Sequence, residues 1–560
     1  MFTHHPGSEE SGFFLNSFIM KIALCQINTH TGHFAFNRKK ILEYIERSKL
    51  ENADLAVFPE LCISGYPARD FLDFDDYTNA CLREADEIAK QSNNISVITG
   101  CPTYNKTGRG KMLYNSALVM QNGKVQTEIH KALLPNYDIF DEYRYFEPGR
   151  DFSCVTVSGK KLAITVCEDL WNIEGKHLYV ADPMEMLSKE NPDIIINIAA
   201  SPFSSGQFEK RLEVFRYHTA KYNIPVVYVN MTGAQTELIF DGRSMIVFPD
   251  GSYKVLNAFE EDFFVFDTEI IPANKSEIKE NKIALIHDAL VFGIREYFTK
   301  LGFKKAVLGL SGGIDSAVVA CLACEALGKE NVDGLLMPSE FSSQHSIDDA
   351  VKLAQNLGMR HEIVPIGKSF DAVNETLKPV FKDLPFNITE ENMQARLRGL
   401  LLMAWSNKFG NILLNTSNKS EAAVGYGTLY GDMCGGLSVI GDLYKIQVYE
   451  LAAYINRKKE IIPQNTITKA PSAELRPNQK DSDSLPDYNI LDEILRLYIE
   501  EIQSPADLIA RGFDKNLVAR ICKMVNTNEY KRYQSPPALR VSSKAFGIGR
   551  RMPLAAKYLS

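Results

Sequence analysis

Long apolar stretches are missing from the sequence. No run approaches the roughly 20 residues that a membrane-spanning helix needs, so we expect no membrane partner. Blocks of basic residues are missing as well, and the formal net charge is -8, which disfavours a nucleic-acid partner. The 10 cysteines do not show the paired C-x₂-C spacing of a zinc site, and the first residues lack the basic segment of a signal peptide. These absences favour a cytoplasmic protein with reduced thiols.

The length of the chain and a change of pattern along it predict two domains. A chain of 560 residues exceeds the usual size of one domain. Strand-rich sequence ends near Thr268, and a helical pattern begins near Ile283 after a polar stretch. We therefore expect a disordered leader at 1–19, a first domain at 20–268, a linker at 269–282 and a second domain at 283–560. Strands that alternate with helices predict a doubly wound parallel sheet in the second domain.

A glycine-rich turn in the second domain is the first candidate site. The turn joins a predicted buried strand, Ala306–Leu310, to a predicted helix, Ala317–Leu327, and so offers backbone N–H groups to a phosphate. No lysine follows the glycines, so the turn is not the GxxxxGK[ST] loop. Glycines alone fit a turn in any doubly wound sheet, but the polar residues beside them favour a phosphate site. The candidate residues are Ser311, Gly312, Gly313, Asp315 and Ser316.

The first domain carries three residues whose side chains, acting together, could hydrolyse an amide. Glu60 follows the predicted strand Asp54–Phe58, Cys167 follows the predicted strand Lys161–Val166, and Lys131 lies in a dense local motif. Taken singly, Glu60 fits a surface acid, Lys131 a solvated base and Cys167 a small buried residue. Together they form a coherent set, because a nearby cation lowers the pKa of an attacking thiol. A carboxylate then transfers the proton, and an ammonium group stabilises the oxyanion.

Further stretches of the second domain carry candidate nucleotide ligands. Asn392 and Arg396 lie four residues apart on one face of a predicted helix, although Arg396 also fits a solvated helix residue. Asp315 and Glu421 offer hard oxygen ligands that suit Mg²⁺ beside phosphates, and Glu421 also fits an acid that complements a helix dipole. The long polar stretch 469–488 is predicted to be a lid or a disordered loop.

Local strings give the sequence a family resemblance. The string SGG-x-DS at 311–316 matches the pyrophosphate loop of ATP pyrophosphatases, and the order of Glu60, Lys131 and Cys167 resembles that of nitrilase-type amidases. Closer strings resemble the glutamine-dependent NAD(+) synthetases, and these are ELCISGYPARD at 60–70, LPNYDIFDE at 134–142 and ENMQARLR at 391–398. The resemblance implies an α/β protein. Its N-terminal domain would be an αββα nitrilase-like sandwich, and its C-terminal domain a doubly wound parallel sheet of the ATP pyrophosphatase type.

The resemblance also implies roles for residues of the amidase half. Glu60, Lys131 and Cys167 match the catalytic triad, and Glu142 matches a second carboxylate that orients Lys131 or the substrate. The residues that match the glutamine pocket are Tyr137, Glu168, Ser201 and Arg211. Among these, a carboxylate such as Glu168 suits the α-ammonium group of glutamine, and Arg211 is a candidate for its α-carboxylate.

For the synthetase half the resemblance implies a nucleotide site with Mg²⁺ as cofactor. The implied ATP-binding residues are Ser311, Gly312, Gly313, Asp315, Ser316, Thr416 and Lys445. The implied deamido-NAD-binding residues are Asn392, Arg396, Glu421, Asp442 and Lys531, and the metal ligands are Asp315 and Glu421. The stretch 469–488 matches a flexible loop that closes over the substrates. Because the family forms large homo-oligomers, a homo-oligomer is implied, with an octamer as a candidate size.

The implied activity is that of a carbon–nitrogen ligase at the final step of NAD biosynthesis. Glutamine would be hydrolysed to glutamate and ammonia, and the ammonia would amidate deamido-NAD through an adenylate formed from ATP, releasing AMP and pyrophosphate. A tunnel for the ammonia is also implied. Two other interpretations remain open: an amidotransferase that adenylates a purine nucleotide, and a non-catalytic nitrilase-like scaffold. The string at 391–398 weighs against the first, and the intact triad weighs against the second.

Overall fold

The structure is a computed structural model of the chain, and it describes residues 20–174, 178–268, 281–477 and 479–558. The predicted leader and residues 269–280 of the predicted linker lie outside the described residues. Lys282, which was assigned to the linker, is the first residue of a helix that Asn281 caps through its side chain. The four domain boundaries stay predictions.

The first half of the chain contributes two larger sheets. Within the described residues its strands are β1 (Lys21–Gln26), β2 (Leu55–Val57), β3 (Ser96–Tyr104), β4 (Leu113–Gln121), β5 (Lys124–His130), β6 (Val155–Val157), β7 (Lys160–Val166), β8 (Ile194–Ala199), β9 (Val226–Asn230), β10 (Thr232–Gln235), β11 (Leu238–Asp241), β12 (Met245–Val247), β13 (Tyr253–Val255) and β14 (Asp262–Asp267). Its helices are α1 (Phe34–Leu50), α2 (Asp75–Ala89), α3 (Pro183–Leu187) and α4 (Gln207–Tyr222). The two six-stranded sheets run in the orders β14-β1-β2-β3-β4-β5 and β13-β12-β9-β8-β7-β6, and β10 pairs with β11.

Side-chain alternation in β1 shows how these layers stack. Ile22 and Leu24 pack between the two large sheets, in the same core as Ile164 and Val227. Ala23 lies between them in the strand, so its side chain faces the opposite side of the sheet, toward the core that α1 and α2 cover. Because both faces of the strand are buried, its interior residues 22–25 are all apolar rather than alternating. The predicted αββα sandwich is confirmed.

The second half forms one parallel sheet. Within the described residues its strands are β15 (Lys305–Gly309), β16 (Val332–Leu336), β17 (Arg360–Ile363), β18 (Asn411–Asn415) and β19 (Leu437–Ser438). Its helices are α5 (Lys282–Leu301), α6 (Ile314–Leu327), α7 (Gln344–Leu357), α8 (Gly367–Phe381), α9 (Ile388–Phe409), α10 (Lys419–Val424), α11 (Lys445–Ile455), α12 (Gln464–Thr468), α13 (Tyr488–Ile499), α14 (Pro505–Ala510), α15 (Lys515–Thr527) and α16 (Glu529–Arg532). The strand order is β17-β16-β15-β18-β19, and the paired strands are parallel, which confirms the doubly wound sheet.

The topology of this sheet places a crevice beside the predicted phosphate turn. The chain proceeds from β15 outward through β16 to β17, and then returns to the other side of β15 as β18. Loops that leave the carboxyl ends of β15 and β18 therefore diverge, and such a switch point is where open α/β sheets bind ligands. The turn after β15 holds Ser311, and the turn after β18 holds Thr416.

The two halves share one hydrophobic core. Phe203 and Ile239 of the first half pack in the same cluster as Leu290 and Ile294 of α5. At the edge of this contact, Lys300 Nζ donates to the backbone carbonyls of Thr29 and Ala234, both at 2.9 Å. Within the described ranges, every helix is too short or too polar to cross a bilayer.

Candidate active sites

The predicted nucleophile lies at a strained turn. Cys167 follows β7 directly, has a φ of +45°, and is 7% exposed. A positive φ is unfavourable for a residue with a side chain, and such strain is typical of nucleophiles presented at strand-to-helix turns. Asn197 supports the turn, because its amide donates to the Cys167 carbonyl at 3.3 Å and to the Thr165 hydroxyl at 2.9 Å.

Three charged residues form a buried ion cluster beside this turn. Lys131 Nζ lies 2.7 Å from Glu60 Oε1 and 2.7 Å from Glu142 Oε2, and the Lys131 side chain is fully buried. Glu60 is fixed further by the Asn115 amide, which donates to Oε1 at 2.7 Å, and by the Ala200 N–H, which donates to Oε2 at 2.8 Å. The structure thus brings Glu60, Lys131 and Glu142 together, as their common function would require.

The charge balance of this cluster changes one expectation about the thiol. Burial, followed by the Glu60 carboxylate, raises the pKa of the Cys167 thiol well above its usual range, and Lys131 offsets only part of this effect. The ammonium group faces two carboxylates, so its net field at the sulfur is weak. Burial also raises the pKa of Glu142, to about 7, against the opposing influence of Lys131. Burial and the neighbouring carboxylates therefore favour the thiol form of Cys167.

Glu168, the residue after the nucleophile, is held by two phenols. Tyr137 OH donates to Glu168 Oε1 at 2.8 Å, and Tyr179 OH donates to the same oxygen at 2.9 Å. Glu168 itself is only 3% exposed, and burial raises the pKa of its carboxyl group. The structure therefore joins two predicted pocket residues, Tyr137 and Glu168, with Tyr179, which the sequence reasoning missed.

Arg211 differs from its predicted place in the glutamine pocket. Its guanidinium group is fully buried and pairs with both oxygens of Asp241, at 2.8 and 3.0 Å. The remaining N–H groups donate to the Ser201 hydroxyl, the Ser201 carbonyl and the Pro202 carbonyl. Since all five N–H donors of the fork are engaged, Arg211 has none free for a substrate carboxylate. It acts instead by fixing Ser201, which was also predicted to lie in the pocket.

The glycine-rich turn of the second half has the geometry of an anion site. Gly313 caps α6, and the Ser311 hydroxyl accepts from the Gly313 N–H at 3.1 Å. Ser316 donates back to the Gly313 carbonyl at 3.1 Å, which tightens the turn. Gly312 has a φ of +76°, and a Cβ atom there would lie 2.1 Å from the Ser346 carbonyl oxygen, so only glycine fits. The turn thus keeps a compact backbone cradle open at the start of α6.

Charged residues meet beside this turn. Lys445 Nζ lies 2.5 Å from Asp315 Oδ2 and 3.5 Å from Glu421 Oε1. Asn418 donates to the other oxygen of Asp315 at 2.9 Å. Burial alone would lower the pKa of Lys445, but the carboxylates of Asp315 and Glu421 raise it above its ordinary value. Burial, followed by Asp315, raises the pKa of Glu421 to about 8. Three of the predicted ATP and metal residues, Asp315, Glu421 and Lys445, therefore form one largely buried cluster.

The donor set fits Mg²⁺ but not a metal caged by protein alone. Within the described residues there is no group of three or more His, Cys, Asp or Glu side chains that could hold a metal ion. Asp315 and Glu421 are joined through a single ammonium group, so together they offer two carboxylates on one side of the anion turn. Mg²⁺ is usually bound by one or two carboxylates together with substrate phosphates and water. The pair meets that requirement.

Three predicted deamido-NAD residues converge on the loop 425–430. Thr428 donates to Asn392 Oδ1 at 2.8 Å, and Arg396 Nε donates to the Leu429 carbonyl at 3.2 Å. Lys531 Nζ donates to two carbonyls of the same loop, each at 2.8 Å. Arg396 is otherwise exposed, so its remaining N–H groups face outward from the loop. Thr416, by contrast, has no side-chain hydrogen bond within the described residues.

Comparisons with known proteins assign each half to a domain family and the whole chain to one family. Residues 21–268 match the carbon–nitrogen hydrolase family, and residues 286–535 match the NAD synthase family. A glutamine-dependent NAD(+) synthetase of Synechocystis is 43% identical over 96% of this chain and 99% of its own. One of Thermotoga maritima is 40% identical over 96% and 99%. The chain belongs to the glutamine-dependent NAD(+) synthetase family.

Solved structures agree with this membership. The glutamine-dependent NAD(+) synthetase of Acinetobacter baumannii, solved in complex with ADP, is 38% identical, covers 96% of this chain and 98% of its own, and has a TM-score of 0.77. That of Cytophaga hutchinsonii, with 21% identity and a TM-score of 0.81 over 96% of this chain and 98% of its own, shows the shared fold. The full-length overlap means that the two halves occur together in these synthetases.

Asp442 lies away from the place predicted for it in the synthetase half. Its carboxylate is buried, accepts from the backbone N–H groups of Val541 and Ser542 at 2.8 and 2.7 Å, and pairs with Lys419 at 2.9 Å. These contacts anchor the C-terminal segment rather than face a substrate. The difference arises because a polar residue after a strand is equally suited to bind backbone and ligand.

Several residues that shape the amidase site escaped the sequence reasoning. Asp169 accepts from the N–H groups of Ala132 and Leu133 with one oxygen and of Val166 with the other, and so ties the segment after Lys131 to the nucleophile turn. A Cβ atom on Gly100 would lie 2.0 Å from the Leu61 nitrogen, so β3 packs directly on the backbone beside Glu60. Only the glycine gave a signal, since glycine inside a strand often marks a close backbone approach.

Proposed function

We propose that the chain makes NAD in two coupled reactions at the two sites described above. At the first site glutamine is hydrolysed to glutamate and ammonia. At the second, the pyridine carboxylate of deamido-NAD is activated by ATP and converted into the amide. This proposal rests on one observation: a buried Glu60–Lys131–Glu142 cluster beside Cys167, and an anion turn with Asp315 at a switch point, are built into one chain.

The amidase chemistry follows from the protonation states. Glu60 accepts the proton of the Cys167 thiol as the sulfur attacks the side-chain amide carbon of glutamine. The ammonium group of Lys131 stabilises the oxyanion that forms, and Glu60 returns the proton to the departing ammonia. Water then hydrolyses the glutamyl thioester, with Glu60 as the base, and releases glutamate. Tyr137 and Ser201 line the pocket, and Glu168 holds the α-ammonium group.

The synthetase chemistry needs a leaving group better than hydroxide. The carboxylate of deamido-NAD attacks the α-phosphate of ATP, and pyrophosphate departs toward the turn at Ser311–Ser316. Ammonia then displaces AMP from the adenylate. Lys445 donates to the phosphates, Thr416 contacts the adenosine, and the residues Asn392, Arg396 and Lys531 bind deamido-NAD together with the loop they hold. Asp315 and Glu421 would hold Mg²⁺, which when bound offsets the negative charge of the triphosphate.

A cavity lies at the border of the two halves, beside the synthetase site. It has a volume of about 280 Å³ and is lined by Glu237 of the first half and by Glu421, Tyr426 and Phe546 of the second. Ammonia released into solvent would become protonated and lose its nucleophilicity. Direct transfer of ammonia between the two sites, within the protein, would avoid that loss.

The reaction can be tested by product analysis. Protein, deamido-NAD, ATP, Mg²⁺ and glutamine are incubated, and NAD, AMP and glutamate are separated by chromatography. We expect the three products in equal amounts, and xanthosine monophosphate should not replace deamido-NAD. Hydrolysis of glutamine without AMP formation would contradict the proposal.

Two substitutions separate the sites. Cys167→Ala should abolish synthesis from glutamine but leave synthesis from ammonium chloride unchanged, because only the first reaction uses the thiol. Asp315→Ala should abolish synthesis with both nitrogen donors. If Cys167→Ala lost both activities, the division of labour would be wrong.

We also propose that the chain forms a homo-oligomer. Large apolar side chains on or beside α8 and α9 are exposed, among them Leu384 at 72%, Ile388 at 63% and Leu400 at 64%. Several large apolar side chains exposed in one region of the chain favour a protein contact there. Sedimentation velocity should show a species larger than 62.9 kDa, and Leu400→Glu should reduce its size. A cytoplasmic location suits the 10 cysteines, all of them free thiols.

A further inference from the structure

Tyr179 is an inward-facing residue in an otherwise outward-facing segment. Its neighbours Leu178 and Val180 are exposed, by 65% and 109%. Tyr179 instead turns its ring toward the nucleophile turn and donates to Glu168. The backbone holds it there, because the amide of the buried Asn172 donates to the carbonyls of Tyr179 and Ala181 at 3.2 and 3.0 Å. The position of the phenol is therefore built into the segment.

The two oxygens of Glu168 are used differently. Oε1 accepts hydrogen bonds from both Tyr137 and Tyr179, whereas Oε2 has no hydrogen-bond partner within the described residues. Glu168 is thus a buried carboxylate with one oxygen free, and it directly follows the nucleophile in the sequence. Such a carboxylate can bind a cation. The two phenols fix the orientation of this carboxylate and stabilise its ionised form.

We propose that Tyr179 is a specificity-determining residue, which keeps Glu168 oriented and ionised so that the pocket selects amides that carry an α-ammonium group. The inference rests on the proposed role of Glu168 in glutamine binding. Tyr137 donates to the same oxygen and shares this task. Tyr179 acts through Glu168, so it is a positioning residue and not a catalytic one.

The electrostatic surroundings of Glu168 explain why a second phenol matters. The titratable groups that face it are Tyr137, Tyr179, Lys131, Glu60 and Cys167. Burial favours the neutral carboxyl group, and each phenol opposes that effect by a hydrogen bond to the charged form. Removing the Tyr179 hydroxyl therefore raises the pKa of Glu168 and weakens cation binding most at acidic pH.

The test compares two amide substrates. L-Glutamine carries the α-ammonium group, and glutaramate has the same side-chain amide and carboxylate without it. For Tyr179→Phe we expect the kcat/KM of glutamine to fall about tenfold, the effect of one hydrogen bond to a charged group, with that of glutaramate within about twofold. The acid limb of the glutamine profile should move to higher pH. Synthesis of NAD from ammonium chloride, measured in parallel, should equal that of the unsubstituted protein.

Two further variants sharpen the test. Tyr104→Phe is the matched control, because it removes a phenol that donates to an exposed carboxylate, Asp75 Oδ1, at 3.2 Å. In a Glu168→Gln background, adding Tyr179→Phe should cause no further loss of preference for glutamine. The inference is overturned if Tyr179→Phe weakens both amides equally, or if its effect persists undiminished without Glu168. If the unsubstituted protein makes NAD from ammonium chloride but leaves glutamine intact, the proposed amidase function fails first.

Discussion

At the scale of single residues, the amidase site depends on contacts too close for any other side chain. Gly100 of β3 lies against the backbone of residues 60 and 61, and its N–H donates to the Pro59 carbonyl at 3.2 Å. The close contact of the strand with this backbone therefore fixes the direction of the Glu60 side chain. A residue without chemistry of its own thus decides where the proposed general base, Glu60, lies.

The substitution Gly100→Ala should disable the amidase half alone. The added Cβ would lie 2.0 Å from the Leu61 nitrogen and 2.5 Å from the Glu60 carbonyl carbon, both of them backbone atoms that cannot yield cheaply. We expect glutaminase activity to fall by about a hundredfold, in line with a displacement of the base by about 1 Å, and stability to fall by about 1–3 kcal/mol. Synthesis from ammonium chloride should persist. Gly367→Ala, where a Cβ meets nothing within 4 Å, is the control.

At the scale of elements, sequence patterns predicted the strands and the turns that follow them better than the partners of polar residues. The apolar runs of β7 and β15 are largely buried, so their sequence patterns located both strands to within one residue. Helix α9 begins at Ile388, upstream of the candidate residue Asn392, because Asn387 and Glu390 form a capping box.

The roles of Arg211 and Asp442 lay beyond such reasoning. Arg211 pairs with Asp241, thirty residues further along the chain, and Asp442 binds backbone near Val541. Local sequence shows that a charge is present but not which distant group will neutralise it. That Glu60 and Cys167 would lie close together was predictable for the opposite reason, since each follows a strand of the sandwich and the chemistry predicted for them requires it.

The contact between α5 and α6 includes a histidine whose charge should make stability pH-dependent. His287 Nε2 lies 3.2 Å from Glu325 Oε2, and its Nδ1 lies 2.9 Å from Asp288 Oδ1. Burial alone would lower the pKa of His287, but hydrogen bonds to these carboxylates raise it from 6.5 to about 9. The protonated form is thus favoured in the folded state. Its contribution is complete below about pH 6.5 and is lost as the pH rises through about 9.

His287→Gln should remove this dependence. Because Asp288 and Glu325 are more than half exposed, we expect solvent to screen the pair and leave a contribution on the order of 1 kcal/mol. Thermal unfolding at several pH values should show a difference between the two proteins at pH 6 that vanishes at pH 10. A constant difference across that range would mean that His287 stabilises by packing and not by charge.

A second device at this scale ties the segment 469–488 to the anion turn. Glu474 Oε1 accepts from the hydroxyls of Ser343 and Ser346, each at 2.7 Å, at the start of α7. Ser346 in turn presses its carbonyl against Gly312 of the turn. The segment, helix and turn are therefore linked through one carboxylate.

We expect Glu474→Gln to loosen this segment. The neutral amide keeps the shape but loses two charge-assisted hydrogen bonds, so the segment should be cleaved several times faster in limited proteolysis, and the KM for ATP should rise about tenfold. Glu340→Gln, at an exposed position nearby, should change neither. Faster cleavage with an unaltered KM would show that the link is structural only.

At the scale of the whole molecule, a chain of contacts joins the two active sites. Tyr137, which donates to Glu168, is followed by Asp138, and Asp138 Oδ2 accepts from Arg540 Nη2 at 2.6 Å. The next residue, Val541, is held by Asp442, whose partner Lys419 lies next to the residue that binds Asp315. The C-terminal segment thus contacts Asp138, beside the proposed glutamine pocket, and is linked through Asp442 and Lys419 to the residues around Asp315.

Asp138→Asn should therefore uncouple the two reactions without disabling either. The Asp138 and Arg540 side chains are 14% and 8% exposed, so removing the carboxylate leaves the Arg540 guanidinium group buried and without that charged partner. We expect synthesis from ammonium chloride to stay near normal while the yield of NAD per glutamine hydrolysed falls severalfold, because the pocket loop is no longer fixed to the synthetase half. Asp141→Asn removes a neighbouring pair with Arg551 that is 40% and 62% exposed, and such surface pairs contribute little. Equal yields of NAD per glutamine in the two variants would show that the buried pair of Asp138 and Arg540 holds the halves together but does not couple the two reactions.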